Sequence, residues 1–147
     1  METLTKNTIK TSRGFTYTYY ASTSSGGKQT LMLLHGWPDH AEMWEDLATK
    51  HLIPAGYGVV IPDCLGYDGT DKPTDPKEYN PVGMMNDFSE ILDAEKIDKV
   101  IITGHDWGAG LAARFYIFKP ERCLGMITMK LSWHREHVFQ FMAILSG

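Results

Sequence analysis

Short, unbroken apolar runs that alternate with helical patterns constrain this chain more than anything else in its 147 residues. Gln29–Leu34, Gly58–Ile61 (GVVI) and Lys99–Thr103 (KVIIT) lack the polar alternation of a strand with one wet face. Such runs belong to strands buried on both faces of a parallel sheet. Parallel neighbours need crossover connections, and helical spacing appears where those crossovers fall. Trp44, Leu47, Ala48, His51 and Leu52 recur at helical intervals until Pro54 and Gly56 stop them. Asn80 before Pro81 reads as an N-cap with proline at the first helical position, and Met84, Met85, Phe88, Ile91 and Leu92 form the buried stripe behind it. Leu111, Ala112, Phe115 and Phe118 mark a further helix, ended by Pro120. With Phe15–Ala21 as an opening strand and Met126–Met129 as a closing one, the expected class is α/β, a mostly parallel sheet with helices on both faces.

Composition narrows the partners. Lys and Arg total 14 against 18 Asp and Glu, a formal charge of −4, so no basic field exists for a nucleic-acid backbone. The longest apolar stretches, Leu31–Leu34 and Val59–Ile61, fall far short of the roughly 20 residues that cross a bilayer. Met1 to Lys10 lacks the apolar stretch of a secretory signal, and a cytoplasmic protein is expected. Cys64 and Cys123 are far apart and outside any metal-ligand spacing, so reduced thiols, no metal and no cofactor are expected.

In an open α/β sheet the ligand crevice lies outside the carboxyl ends of the strands. The strand Lys99–Thr103 runs into Gly104-His105-Asp106-Trp107-Gly108 and directly on into a helix. This is the nucleophile-elbow pattern with Asp in place of Ser, a turn so tight that the residues two before and two after the nucleophile must be nearly free of side chain. Asp106 as a simple helix cap, with glycines that merely turn the chain, is the competing reading of those five residues. Two further junctions supply context. His35-Gly36-Trp37-Pro38 follows an apolar strand and offers a backbone N–H as an oxyanion donor. Asp63-Cys64-Leu65-Gly66-Tyr67-Asp68-Gly69-Thr70-Asp71-Lys72-Pro73 follows the next. A carboxylate that attacks a polarised saturated carbon forms an alkyl ester, so Asp106 points to alkyl transfer where Ser would point to acyl transfer.

At these residues the chain resembles the α/β-hydrolase fold, and within it the epoxide-hydrolase branch, over roughly Phe15 to Met129. The resemblance rests on the His-Gly-x-Pro loop at His35 to Pro38, the Asp elbow at Gly104 to Gly108 and the stretch Asp63 to Pro73. It implies Asp106 as nucleophile, the amides of Trp37 and Trp107 as oxyanion hole, supporting roles for His35, Gly36, Pro38, Gly104 and Gly108, and a cis Trp37-Pro38 bond. It implies a small-molecule epoxide or related apolar electrophile as substrate. It also implies a strand order beginning 1-2-4-3-5-6, with residues 1–147 forming the N-terminal part of a hydrolase domain that stops after about the sixth strand. The lid, its ring-opening tyrosines, the catalytic histidine and its acid would all lie beyond Gly147. On that basis the sixth strand is expected to be an exposed edge, with self-association and little or no activity. Alternatives of other kinds are a dehalogenase of the same fold, against which Trp37 and Trp107 together speak, and a non-catalytic remnant.

Neighbouring residues are read more plainly. His35 is expected to hold its loop and His105 to project away from the crevice. Trp107 is left open between contacting substrate and filling the core. Met84, Met85 and Phe88 are assigned to the core. Trp133-His134-Arg135-Glu136-His137 reads as the polar start of a helix that continues through Val138, Phe139, Met142 and Leu145, with Trp133 or His134 a candidate border of the pocket.

Overall fold

The computed structural model describes residues 4–131 and 139–145. Among the described residues seven strands form one sheet: β1 (Thr5–Lys10), β2 (Thr16–Ser22), β3 (Thr30–Leu34), β4 (Gly58–Pro62), β5 (Val100–His105), β6 (Cys123–Leu131) and β7 (Phe139–Leu145), in the order β1-β2-β4-β3-β5-β6-β7. The order anticipated by the resemblance is present. The three pairs β4/β3, β3/β5 and β5/β6 are parallel, and antiparallel pairs flank them.

Side-chain alternation divides the core in two. Met32, Leu34, Val60 and Ile102 face α2 (Pro81–Ala94) and α3 (Trp107–Phe118), where Met85, Phe88, Ile91, Leu92, Ala112 and Phe115 are buried against them. Leu31, Leu33, Val59 and Ile61 point the other way, onto Ala41, Trp44, Ala48 and Ile53. That second layer is a helical run in three pieces: a 3-10 turn at Ala41–Trp44, a short α1 (Glu45–Leu47) and a wider π turn at Ala48–Leu52. Helices therefore cover both faces, as expected from strands apolar at every position. The α2 cap is also as read: Asn80 Oδ1 accepts the Gly83 amide at 2.7 Å, with Pro81 at the first helical position.

β1 was not anticipated. It is an edge strand exposed at four of its six positions, so no apolar run announces it, and its backbone ladder with β2 holds it in place. The tail differs from expectation more sharply. Phe139, Met142 and Leu145 read as a helical stripe, yet Phe139–Leu145 is a strand antiparallel to β6, in register from Leu131↔Phe139 to Gly125↔Leu145. A seven-residue run this apolar fits either period. The unpaired edge of β6 offers the tail a full ladder of backbone partners, and β6 is consequently not the edge of the sheet. Trp133 to His137, with the reading of Trp133 or His134 as a pocket border, lies outside the described residues. No helix among the described residues is long and apolar enough to cross a membrane.

One buried polar cluster ties the β1–β2 hairpin to α2. The carboxylate of Asp87, on the inner face of α2, accepts hydrogen bonds from Tyr17 at 2.9 Å and from Arg13 at 2.6 Å. Arg13 also donates to the Glu78 carbonyl just before α2.

Candidate active site

β5 ends at His105, α3 begins at Trp107, and the single residue between them, Asp106, turns the chain with φ 54° and ψ −122°. A non-glycine residue there carries strain of about 1–3 kcal/mol and persists only when its surroundings hold it. Three hydrogen bonds do so. The Asp106 amide donates to the Met129 carbonyl of β6 at 3.0 Å, the Ala109 amide donates to the Asp106 carbonyl at 3.0 Å, and the Trp37 amide donates to Asp106 Oδ2 at 3.1 Å.

Glycines make this closeness possible. A Cβ at Gly104 would stand 2.0 Å from the Gly108 carbonyl oxygen, one at Gly108 would stand 2.2 Å from the Leu34 carbonyl oxygen, and one at Gly36 would stand 2.5 Å from Asp106 Cβ. None of the three has a left-handed φ, so space and not backbone conformation excludes a side chain here. The end of β3, the end of β5 and the first turn of α3 interlock through these three positions.

The loop after β3 is held by His35, which is fully buried. Its Nε2 accepts the Cys64 amide at 2.9 Å, which leaves the proton on Nδ1, 3.0 Å from the Gly36 carbonyl it can donate to. Burial pushes the imidazole below its ordinary value and favours this neutral form. With both ring nitrogens occupied, His35 has no free atom with which to act as a base. The next bond, Trp37-Pro38, is cis.

The stretch after β4 is pinned by residues that the sequence offers only as a polar loop. Buried Asp63 accepts the Ala41 amide through Oδ1 at 2.8 Å. The Thr70 hydroxyl donates to the Asp63 carbonyl at 2.7 Å and accepts the Thr18 amide at 3.0 Å, and Asp71 Oδ2 accepts the Thr16 amide at 2.7 Å. The side-chain acceptors spaced along Asp63-x6-Thr70-Asp71 are the signal that could have found this clasp on β2. His40, Asp63 and Asp68 bring one potential ligand atom each within 4.8 Å of one another, but Asp63 is already engaged by backbone amides and the cluster has no further feature of a metal centre.

At the carboxyl ends of these strands lies an open cleft of about 580 Å³, lined among others by Gly36, Trp37, Leu65, Tyr67, Met84 and Trp107. Asp106 is flanked by Gly36, Trp37 and Trp107 of this lining. Of the two readings of Trp107, filling the core is excluded, because the residue is 73% exposed; Trp37 is 66% exposed. Met84 is buried in the core as read, and it also forms part of the cleft wall. Tyr67 stacks edge-on against His35 with ring centroids 4.8 Å apart. Its phenol is pushed up, first by burial and then by the charges of Cys64, Asp106 and Tyr79. His105 and Asp106 are both half-buried and neither is itself among the lining residues; Asp106 adjoins the cleft through Gly36, Trp37 and Trp107.

Residues 29–145 match the family described as alpha/beta hydrolase fold. Epoxide hydrolase 3 of Siraitia grosvenorii is 34% identical over 110 residues, which cover 75% of this chain and 34% of that protein. Epoxide hydrolase 2 of the same organism is 33% identical over 114 residues, 78% of this chain and 36% of that protein. A solved Vigna radiata epoxide hydrolase mutant superposes with a TM-score of 0.78 at 26% identity, over 92% of this chain and 42% of that one. The chain thus spans about a third of the length of the curated relatives it matches.

Proposed function

We propose, from the premise that this chain belongs to the alpha/beta hydrolase fold family, that Asp106 is the nucleophile of an epoxide hydrolase and that the Trp37 and Trp107 amides form its oxyanion hole. The observation that carries the proposal is the strained Asp106 at the strand-to-helix turn, one carboxylate oxygen held by the Trp37 N–H and its flanking residues open to the cleft. The similarity to proteins named epoxide hydrolase supports the choice of electrophile.

The two carboxylate oxygens then have different tasks. Oδ2, bonded to the Trp37 amide, becomes the carbonyl oxygen of the ester. Oδ1 attacks an epoxide carbon, that carbon–oxygen bond breaks, and the released alkoxide takes a proton from water, leaving hydroxide that receives the proton lost when the ester is hydrolysed. Attack of water on the carbonyl carbon of the ester places negative charge on Oδ2, where N–H donors lower the barrier by about 3–4 kcal/mol each. Collapse releases the diol and restores the Asp106 carboxylate. The positive end of the α3 dipole favours that carboxylate throughout.

Incubation with styrene oxide followed by intact-mass analysis and peptide mapping tests this. The expected result is one ester on the peptide containing Asp106. Where water completes the cycle, oxygen-18 from labelled water enters the Asp106 carboxylate instead. Neither occurs in Asp106→Asn. Label spread over other carboxylates, or equal in the variant, would defeat the assignment.

A further inference from the structure

Among the described residues, the cleft beside Asp106 is lined mostly by aromatic, aliphatic and glycine residues, with a single permanently charged side chain, Arg114. Trp107, Leu111 and Arg114 occur at i, i+4 and i+7 of α3, so they share one face of the helix. That face is a ramp, apolar from the elbow outward and cationic at its far end. The guanidinium lies back along the helix, its Nη1 donating to the Gly110 carbonyl at 3.1 Å. A Cβ at Gly110 would come within 3.2 Å of Nη1 and nothing else nearby, so glycine leaves the guanidinium room to lie there. Gly110 is four residues past Asp106, about 6 Å of helix rise.

Arg114 is in none of the ion pairs formed among the described residues, and the first turn of α3 carries no acidic side chain. Among the described residues only one of its five N–H donors is hydrogen-bonded, and a planar fork of this kind matches a carboxylate or another oxyanion bidentately. The chain as a whole is negative, so no general field draws anions to it and any preference for them must be local.

We propose that this cleft selects epoxides that carry an anionic group roughly one helical turn from the reacting carbon, and that Arg114 is the residue that binds that group. The proposal rests on the reading of Asp106 as nucleophile, and Arg114 acts as a specificity determinant, not on the reacting atoms.

The para-carboxylate and para-carboxamide derivatives of styrene oxide are close in size and shape and differ in charge. The ratio of their alkylation rates at Asp106, followed by intact mass, is expected to favour the anion and to fall about tenfold in Arg114→Gln. It should survive in part in Arg114→Lys and stay unchanged in Lys10→Gln, which removes a cation from β1. A ratio unaffected by Arg114→Gln would overturn the proposal. Binding of the two diol products, measured by ligand-observed NMR, separates this inference from the nucleophile. Loss of the anionic preference in Arg114→Gln without any alkylation of Asp106 would uphold the anion site and reject the chemistry. Alkylation of Asp106 with no anionic preference in either assay would do the reverse.

Discussion

Two Gly→Ala substitutions in the same helix, two residues apart, should move stability in opposite directions. At Gly108 the added methyl would lie 2.2 Å from the Leu34 carbonyl oxygen, 2.6 Å from the His35 carbonyl oxygen and 2.7 Å from the Leu34 carbonyl carbon. All three are backbone atoms at the buried end of β3, and relief to an ordinary contact needs a separation of about 1 Å between α3 and the sheet. Overpacking of this kind costs about 1–3 kcal/mol, and rigid backbone on both sides places Gly108→Ala at the upper end. A gain of up to about 1 kcal/mol from helix propensity offsets part of it, leaving a net loss of about 2 kcal/mol. At Gly110 the nearest atom is the movable Arg114 Nη1 at 3.2 Å, so propensity dominates and Gly110→Ala should gain about 0.5–1 kcal/mol. Urea unfolding followed by circular dichroism reads the difference of about 3 kcal/mol directly. In thermal unfolding it corresponds to roughly 3 °C per kcal/mol. If both variants shifted together, in either direction, the close approach of α3 to β3 would not be what requires Gly108.

Other perturbations probe the site separately. Asp106→Gly removes the positive-φ strain, so its unfolding free energy should equal or exceed that of the parent by up to about 1 kcal/mol while ester formation disappears; a loss larger than that would show Asp106 to be unstrained. His35 has a folded-state pKa depressed by burial, so its contribution is complete above its ordinary value of 6.5 and is lost as pH falls from there towards the lower folded value. Urea midpoints should therefore drop between pH 7.5 and 5.5. His35→Ala, which leaves the buried Cys64 amide unpaired, should cost about 2 kcal/mol at pH 7.5 and flatten that pH dependence. Burial pushes the Cys64 thiol up to about 12 and the Cys123 thiol up to about 11. At pH 8 both should react with a disulfide reagent at least about a hundredfold more slowly in the folded chain than in urea, and fast native labelling of Cys64 would contradict its burial.

What could be read in the sequence was what local pattern controls. The fully buried strands announce themselves because every position is apolar, and α2 because its cap and stripe agree. The elbow is visible because steric exclusion at Gly104 and Gly108 leaves a compositional trace. What escaped depends on partners distant in the chain. β1 exists because β2 offers a ladder to it, and Phe139–Leu145 is a strand because β6 does. Met84 shows the same limit at one residue, since a helical stripe tells that a side chain faces inward and not that the inner wall ends there. Arg114 passed unremarked for a related reason. An arginine on an exposed helix face is ordinary until the cleft beside it is known.

β3 serves two cores and one site at once, and this fixes its length. All five residues of Thr30–Leu34 are buried, with Leu31 and Leu33 on one side and Met32 and Leu34 on the other. Loss or gain of one residue within it would exchange the two sides and carry Gly36 away from Asp106. Changes in length are therefore confined to the segment before it, where Gly26 and Gly27 turn at positive φ in the solvent. Insertions between Thr23 and Gln29 should be silent, whereas a single-residue deletion in β3 should abolish both folding and the site.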